Sequence, residues 1–373
     1  MRTRQTHRIR KAVPVRSQRG LSMIELMVAM TIGAVLLFGA TQVYVNSQKS
    51  YGVNETVARL QENARYAMSV IEPDVREASY WGLLNDPTVI VNAAPQTAPA
   101  GAVAPGAGAN ACGTNFAIDL TTTLQGDNDG YVLSPTRTAA CDALPDITSG
   151  VVWATTPVTT ADTLVVRRAS TLPTNNVPSP ATLQVCTSRS GGFLVSDGTG
   201  CAITGVLPPV VLLSNLSVNA YYVDQNSLQQ AGMPSLRRKV VTSNGAAIVF
   251  REQEVMAGVE DMQVQFGIDP GVTGVVQRYV DPGGVPAGAQ IVAVRVWLLV
   301  RADAPETGFT DTTIYQYGNR SAVNGVTGDL NAAAGAGMAY QPSLNPNATL
   351  TGPQHVRHLL ISRTIQVRNA LIT

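Results

Sequence analysis

An acidic side chain, Glu25, lies at the start of a long apolar stretch. From Leu26 to Gln48 the sequence has no charged residue. A carboxylate at the edge of an apolar helix is costly unless a cation pairs with it, so such a residue is by default a functional candidate. The chemistry open to Glu25 is therefore an ion pair within a bundle of apolar helices, with an amine as its partner.

The stretch from Leu26 to Gln48 predicts a helix that crosses a membrane. At about 1.5 Å per residue it can span the apolar core of a bilayer, which is about 30 Å thick. The first 20 residues carry only basic charges, at Arg2, Arg4, Arg8, Arg10, Lys11, Arg16 and Arg19. Basic residues beside a membrane helix stay in the cytoplasm, so the residues after the helix are expected to be exported.

A nucleic-acid-binding arm is the competing interpretation of these arginines. The chain has 26 basic and 25 acidic residues, so the part that follows the basic leader is mildly acidic. A mildly acidic body does not attract a polyanion. We therefore expect no nucleic-acid partner and interpret the leader as a topology signal.

Two ordinary export signals fit this N-terminus poorly. A secretory signal is cleaved after its apolar stretch, at a site with small residues. The best such site, Phe38-Gly39-Ala40, has the bulky Phe38 where a small residue is required. A plain signal anchor tolerates the sequence but gives no reason for Glu25.

The hexapeptide Gly20-Leu21-Ser22-Met23-Ile24-Glu25 resembles the type III signal of type IV pilins and type II secretion pseudopilins. In those proteins a prepilin peptidase cuts after the glycine, and the next residue is N-methylated. The resemblance implies cleavage after Gly20 and methylation of Leu21, a position where phenylalanine is commoner. Glu25 falls where the family has its glutamate.

Cleavage would release an α-amine at Leu21, with an ordinary pKa near 8. Methylation keeps its positive charge, so Glu25 can pair with the amine of its own or of a neighbouring subunit. In a bundle of low dielectric such a pair is directional, and its absence is penalised. The predicted assembly salt bridge therefore joins Glu25 to Leu21 and sets the axial register between subunits.

The helix is expected to continue beyond the membrane. Apolar residues follow a seven-residue repeat, at Val53, Val57, Leu60, Ala64, Ala67, Ile71 and Ala78. Such an amphipathic stripe needs a partner, which is either the protein's own head or a neighbouring subunit. Pro73 is expected to end or kink this helix.

Four cysteines, Cys112, Cys141, Cys186 and Cys201, follow the apolar stretch, and none belongs to a C-x-x-C pair. The pattern disfavours a zinc site, and an even number of cysteines on the exported side indicates two disulfides. Four cysteines allow three connectivities. We expect the nearest-neighbour pairs, Cys112 with Cys141 and Cys186 with Cys201, because they close short loops.

The remainder of the chain predicts a β-rich head. Residues 162–168 are a short run of β-type residues, and apolar residues recur at every second position in the segments 216–222, 261–268, 290–301 and 359–368. This period of two indicates half-buried antiparallel strands. The predicted fold is α+β, with a long N-terminal helix packed on an antiparallel β-sheet head.

The predicted organisation has four parts. They are a removed leader at 1–20, a helix at 21–80, a variable disulfide-containing part at 81–205 and a β-rich part at 206–373. Stretches rich in Ala and Gly at 92–111 and 324–348 predict loops.

The order of these segments resembles the PilW family of type IV pilus assembly proteins, which are minor pilins. The N-terminal motif belongs to the whole pilin superfamily, and the segments 162–168, 259–267, 292–301 and 358–369 carry the resemblance to PilW. It implies a minor pilin that initiates or caps pilus assembly, with other minor pilins and the major pilin as partners. The protein is expected in the inner membrane, with a periplasmic head, and then in the pilus at the cell surface. Two alternatives stay open, a type II secretion pseudopilin and an adhesive or binding module at the pilus tip.

No residue pattern indicates an enzyme. The motifs G-x-S-x-G, H-E-x-x-H and G-x-x-x-x-G-K-[ST] are absent. His355 and His358, three apart on a predicted strand, would point to opposite faces and make poor joint ligands. Asp127 and Asp129 resemble half of a calcium loop, although no glutamate follows at the required spacing. We expect no catalysis, no cofactor and no metal. The pattern favours a polar turn at Asp127 and Asp129, which are nevertheless the candidate residues if a metal binds.

We predict that the native protein begins with N-methyl-Leu21, because the motif places the scissile bond between Gly20 and Leu21. Intact-mass spectrometry of protein from the native host reports this directly. The replacement Gly20→Asp should block processing, so that the uncut precursor accumulates. A native protein that begins at Met1 or Thr41 contradicts the prediction.

Overall fold

The computed structural model describes residues 20, 22–93, 110–171, 177–198, 201, 211–306, 308–319 and 355–370. The basic leader, Leu21, most of the predicted loop at 92–111 and all of that at 324–348 lie outside these residues. The chain divides into two compact units, residues 1–55 and residues 56–373. The four-part organisation expected from the sequence remains a prediction.

Helix α1 extends from Met23 to Arg76, over 54 residues. It continues to Arg76, beyond Pro73, so Pro73 does not end the helix. A kink at Pro73, the other expectation, stays a prediction. Proline removes a single N–H group, and the chain leaves the helix only at a turn that includes Ser79, whose φ is +64°. The carbonyl of Arg76, at the helix end, accepts a hydrogen bond from the backbone N–H of Arg368 at 3.0 Å.

Fourteen strands follow α1 in the described residues. In chain order they are β1 Ile90–Val91, β2 Leu124–Gln125, β3 Ala143–Pro145, β4 Val152–Ala154, β5 Leu164–Ala169, β6 Pro180–Thr187, β7 Gly192–Asp197, β8 Leu212–Asp224, β9 Ser235–Ser243, β10 Ile248–Ala257, β11 Val259–Asp269, β12 Arg278–Val280, β13 Gln290–Arg301 and β14 His358–Gln366. Short 3-10 helices cover Pro87–Val89 and Ala139–Asp142.

These strands form three sheets. The 8-stranded sheet has the order β1-β7-β6-β8-β5-β2, and β9 pairs with both β8 and β10. The 4-stranded sheet has the order β12-β11-β13-β14, and β3 pairs with β4. All pairings are antiparallel except the short one between β1 and β7. The α+β fold with an antiparallel head, predicted from the sequence, is confirmed.

The part of α1 that belongs to the second unit packs on the sheets of that unit. Leu60, Ala64, Ala67 and Ile71 are buried and share one apolar cluster with residues of β5, β8, β11, β13 and β14. From Leu60 onward, the amphipathic stripe therefore finds its partner in the protein's own head. Its burial removes apolar surface from water, which is the dominant favourable term in folding.

The 8-stranded sheet is buried on both faces. On β5, Leu164 and Val166 join the cluster that contains α1, whereas Val165 joins a second cluster on the opposite face. The second cluster includes Phe116 and Cys141, from the segment between residues 110 and 145. The sheet is therefore a middle layer between α1 and this segment, and its central strands are buried along most of their length.

Strand β11 differs from the half-buried strand that its alternating sequence predicts. Asp261 and Gln263, on its polar face, are as buried as the apolar residues opposite. The segment 308–319 covers that face, and the Tyr317 hydroxyl donates to Asp261 Oδ2 at 2.6 Å. The alternating sequence correctly indicates that β11 has an apolar and a polar face. It does not indicate that a later segment of the chain covers the polar face.

The last turn of α1 carries a buried carboxylate, Asp74, which is bound from three sides by the larger sheet. The Arg168 guanidinium donates to Asp74 Oδ1 through Nε at 3.1 Å and Nη2 at 2.7 Å. The Asn219 amide and the Tyr221 hydroxyl both donate to Asp74 Oδ2. Arg168 also pairs with Glu77 at 2.9 Å, just past the helix end. These bonds fix the end of α1 to strands β5 and β8.

We predict that Asp74→Ala destabilises the head by about 3 kcal/mol, because it leaves a nearly buried guanidinium without its main partner. Urea unfolding of the full chain in detergent, followed by tryptophan fluorescence, measures this loss. Glu72→Ala is the matched control on the same helix, since Glu72 pairs with the exposed Arg363. It should cost no more than about 1 kcal/mol. Equal effects of the two replacements would contradict the role given to Asp74.

Candidate assembly site

The candidate assembly site is the N-terminal end of α1, at Ser22 and Glu25. Ser22 precedes the first helical residue, and its Oγ accepts a hydrogen bond from the Ile24 N–H at 3.3 Å. Glu25 Oε2 accepts one from the Ser22 N–H at 3.1 Å. This reciprocal arrangement is a capping box, in which each side chain satisfies a backbone N–H at the helix start. The Ser-x-x-Glu spacing was visible in the sequence, although our sequence analysis did not identify it.

The capping box engages one carboxylate oxygen of Glu25. The backbone N–H of Ser22 lies on the retained side of the predicted cleavage site, so the box can persist in the mature protein. Gly20 is exposed, and Leu21 lies outside the described residues. The pairing of the Leu21 amine with Glu25 therefore stays a prediction.

The helix that follows Glu25 presents an apolar surface. Met23 is 88% exposed, Phe38 69% and Val43 70%. By length and composition alone, this helix can cross a membrane. Such exposure would be unfavourable in water, and a bilayer or a bundle of like helices removes it.

The four cysteines form two disulfides, Cys112–Cys141 and Cys186–Cys201, with Cα–Cα distances of 4.9 Å and 5.6 Å. These are the nearest-neighbour pairs. The first closes the segment that covers the outer face of the larger sheet. Lys239 of β9 anchors this segment, because its Nζ donates to the Cys141 carbonyl at 2.8 Å.

Asp127 and Asp129, the candidate residues for a metal, belong to a turn with its own hydrogen bonds. Asp127 Oδ2 accepts from the N–H groups of Val132 and Leu133 at 2.9 Å and 2.7 Å. The N–H of Asp129 donates to Asp162 Oδ1 at 2.8 Å. In the part of the chain that the structure describes, no three His, Cys, Asp or Glu residues are grouped so that they could hold a metal ion. The geometry of Asp127 therefore fits a structural turn.

The sequence predicted that His355 and His358 lie on one strand, and this prediction is wrong. His355 precedes β14, and its Nδ1 lies 2.8 Å from the Phe309 carbonyl oxygen. His358 begins β14, and its buried imidazole lies between two carboxylates. Its Nδ1 is 2.8 Å from Asp311 Oδ2, and its Nε2 is 3.1 Å from Glu260 Oε2.

Burial by itself lowers the pKa of His358, but the Glu260 charge and the Asp311 hydrogen bond outweigh it and raise the pKa to about 9. The imidazole is therefore a cation at neutral pH and holds the segment that contains Asp311 against the sheet. Sequence reasoning missed this cluster because Asp311 and Glu260 are far from His358 in the chain.

Two family models match the chain. Residues 15–41 match the prokaryotic N-terminal methylation motif, and residues 220–369 match the type IV pilus-assembly protein W, or PilW, family. Among solved structures, the chain is similar to a type IV-like pilin from Thermus thermophilus, with 17% identity and a TM-score of 0.25. The similarity covers 58% of this chain and 84% of that one. No curated protein matches the chain.

A methylation motif, an apolar N-terminal helix and an antiparallel β-rich head together define the class of type IV pilin-like proteins. Within this class, residues 220–369, from within β8 to just beyond β14, match the model of the PilW family. The resemblance inferred from the sequence is confirmed. The family points to a structural component of the pilus, processed by a prepilin peptidase and assembled with other pilins.

We predict that Glu25→Gln and Glu25→Ala are both cleaved and inserted but assemble poorly. Glutamine can replace glutamate in a capping box, but it has no negative charge with which to pair an amine. The Glu25→Gln variant therefore separates the capping role of Glu25 from its ion-pairing role. If the ion pair decides assembly, both variants should lose surface pili when each is the only copy. Normal piliation with Glu25→Gln would show that the cap, and not the charge, is required.

We predict that the head loses stability as the pH rises through 9. The folded-state pKa of His358, about 9, lies above its ordinary value of 6.5. The stabilisation is therefore complete below pH 6.5 and disappears as the folded protein loses the proton. Between pH 7 and pH 10 the free energy of unfolding should fall by up to about 3 kcal/mol. Urea unfolding at each pH measures it.

The variant His358→Gln is the control for other groups that titrate in this range. It should be less stable than the wild type at pH 7 and should show a smaller decline towards pH 10. Identical pH dependence in the two proteins would contradict the assignment.

Proposed function

We infer that this chain is a low-copy minor pilin that initiates or caps assembly of the type IV pilus. The main support for this proposal is the large size of the head that follows the N-terminal helix. Residues 56–373 form a single compact unit, with an 8-stranded sheet, a 4-stranded sheet and a disulfide-closed segment. This is a large head for a subunit that has to repeat along a fibre.

Packing geometry connects the size of the head with its place in the fibre. In a helical fibre the N-terminal helices pack at the centre, and each head must fit beside the heads around it. A bulky head meets neighbours on every side within the lattice. At an end of the fibre half of those neighbours are absent, so the bulk is tolerated there.

The N-terminus of α1 supplies the chemistry for initiation. A prepilin peptidase would cut at Gly20 while the helix lies in the inner membrane, with the head in the periplasm. Glu25 would then offer its free carboxylate oxygen to the Leu21-type amine of an arriving subunit. In a medium of low dielectric, this contact orders the first subunits along the axis. The partners in this proposal are other minor pilins and the major pilin.

The PilW match favours a pilus subunit over a type II secretion pseudopilin, which shares the N-terminal motif. It does not distinguish an initiator from a cap, because both lie at an end of the fibre. The same end would also expose the head to external ligands.

We predict that deletion of the gene leaves the major pilin made and processed but strongly reduces the number of surface pili. Electron microscopy counts the pili, and immunoblots of the membrane report the processed major pilin. Complementation with the wild-type gene should restore piliation, whereas the uncleavable variant Gly20→Asp should not. Unchanged pilus number in the deletion strain would contradict the proposed role.

A further inference from the structure

A pocket of about 560 Å³ opens in the disulfide-closed segment of the head. Hydroxyl and amide side chains form much of its wall, among them Thr114, Asn115, Thr121 and Ser134. Its volume lies within the usual range of small-molecule sites. Asn115, on the rim, adopts a left-handed backbone with φ of +60°.

The Arg167 guanidinium forms part of the pocket wall, and its side chain is almost fully buried. Its Nε donates to the Phe116 carbonyl at 2.9 Å, its Nη1 to the Thr122 carbonyl at 2.6 Å and its Nη2 to Gln125 Oε1 at 3.2 Å. The Phe116 ring lies against the guanidinium, 4.6 Å from Cζ. These partners hold the group rigidly, but all of them are uncharged.

Arg167 differs in this respect from the other buried cations of the described residues. Each of those has a carboxylate within ion-pair distance. The pairs are Arg237 with Asp224 at 3.4 Å, Lys239 with Glu252 at 2.7 Å and Arg301 with Glu260 at 3.3 Å. A buried charge without a carboxylate at ion-pair distance is costly, so the exception is consistent with an anionic group that comes from outside.

The electrostatics of Arg167 agree with this interpretation. Burial lowers its pKa to about 10, and the Asp119 carboxylate acts in the opposite direction. The group therefore remains a cation at neutral pH, in a site of low dielectric. A guanidinium has five N–H donors, and the three hydrogen bonds to Phe116, Thr122 and Gln125 leave one on each Nη atom. Two N–H donors on one guanidinium can bind the two oxygens of a carboxylate.

An acidic residue in the pocket wall narrows the class of ligand. Asp119 lines the same pocket, and its Oδ1 already accepts from the Thr121 hydroxyl at 2.7 Å. Its charge would repel a compact multiply charged anion such as phosphate. It would accept hydrogen bonds from the hydroxyl groups of a sugar, which the amide and hydroxyl groups of the wall can also bind.

We propose that this pocket binds a saccharide that carries a carboxylate, with the acid on Arg167 and the sugar hydroxyls on Asp119 and the polar rim. The assignment does not depend on where the subunit lies in the fibre. It gives the head a binding activity that would operate wherever the pocket is exposed on the assembled pilus.

Isothermal titration calorimetry with the full mature chain in detergent tests the proposal. The acidic probes are trigalacturonate, trimannuronate and N-acetylneuraminic acid, and galactotriose is the neutral control. At least one acidic probe should bind saturably, and galactotriose should bind about tenfold more weakly or not at all, because it lacks the charged hydrogen bond. Absence of binding by all three acidic probes, or equal binding of galactotriose, overturns the proposal.

Variants locate the binding in the pocket. Asn115→Gly keeps the left-handed backbone and removes the amide, and Thr121→Val removes a rim hydroxyl. Each should weaken binding several-fold, and Arg167→Gln should reduce it about tenfold or more. The control Val132→Ala alters an exposed side chain outside the pocket and should bind as the wild type does. If the Asn115, Thr121 and Arg167 variants all bind as well as the wild type, the site is elsewhere and the proposal is wrong.

Discussion

The carboxylate of Asp74 fixes how the last turns of α1, within residues 56–373, lie on the larger sheet. The apolar stripe of α1 is held by burial, which is not directional and tolerates small rotations of a helix. Asp74 instead binds Arg168, Asn219 and Tyr221 at fixed positions on the larger sheet. Burial raises the pKa of the Tyr221 hydroxyl, and the Asp74 charge raises it further, so this donor keeps its proton at physiological pH. A helix rotated away from this seat would bury a carboxylate without partners.

Strand β5 extends this constraint to the other side of the sheet. Adjacent side chains on a strand point to opposite faces, so Arg168 reaches the helix while Arg167 reaches the disulfide-closed segment. The same strand therefore positions both the end of α1 and the wall of the pocket. The end of α1 and the wall of the pocket are thus linked through one short run of residues, Leu164–Ala169.

Local patterns in the sequence predicted much of this structure. The alternation in 290–301 has the same bounds as β13, and the seven-residue repeat identified the buried stripe of α1. The motif that ends at Glu25 indicated the pilin class, and the strand segments of the head indicated the resemblance to PilW. The sequence did not predict that Asp74, on the same helix, is buried, because its partner Tyr221 is 147 residues away. Contacts of this range, like those of His358, depend on the whole topology and leave no periodic signal.

We propose that the protein occupies an end of the pilus, in very few copies. Quantitative mass spectrometry of sheared, length-fractionated pili tests it directly, because it gives the ratio of this chain to the major pilin. If each pilus carries a fixed number of copies, the ratio of this chain to the major pilin should fall in inverse proportion to fibre length. A ratio that stays constant with length would mean that the protein is distributed along the fibre, and it would contradict the account.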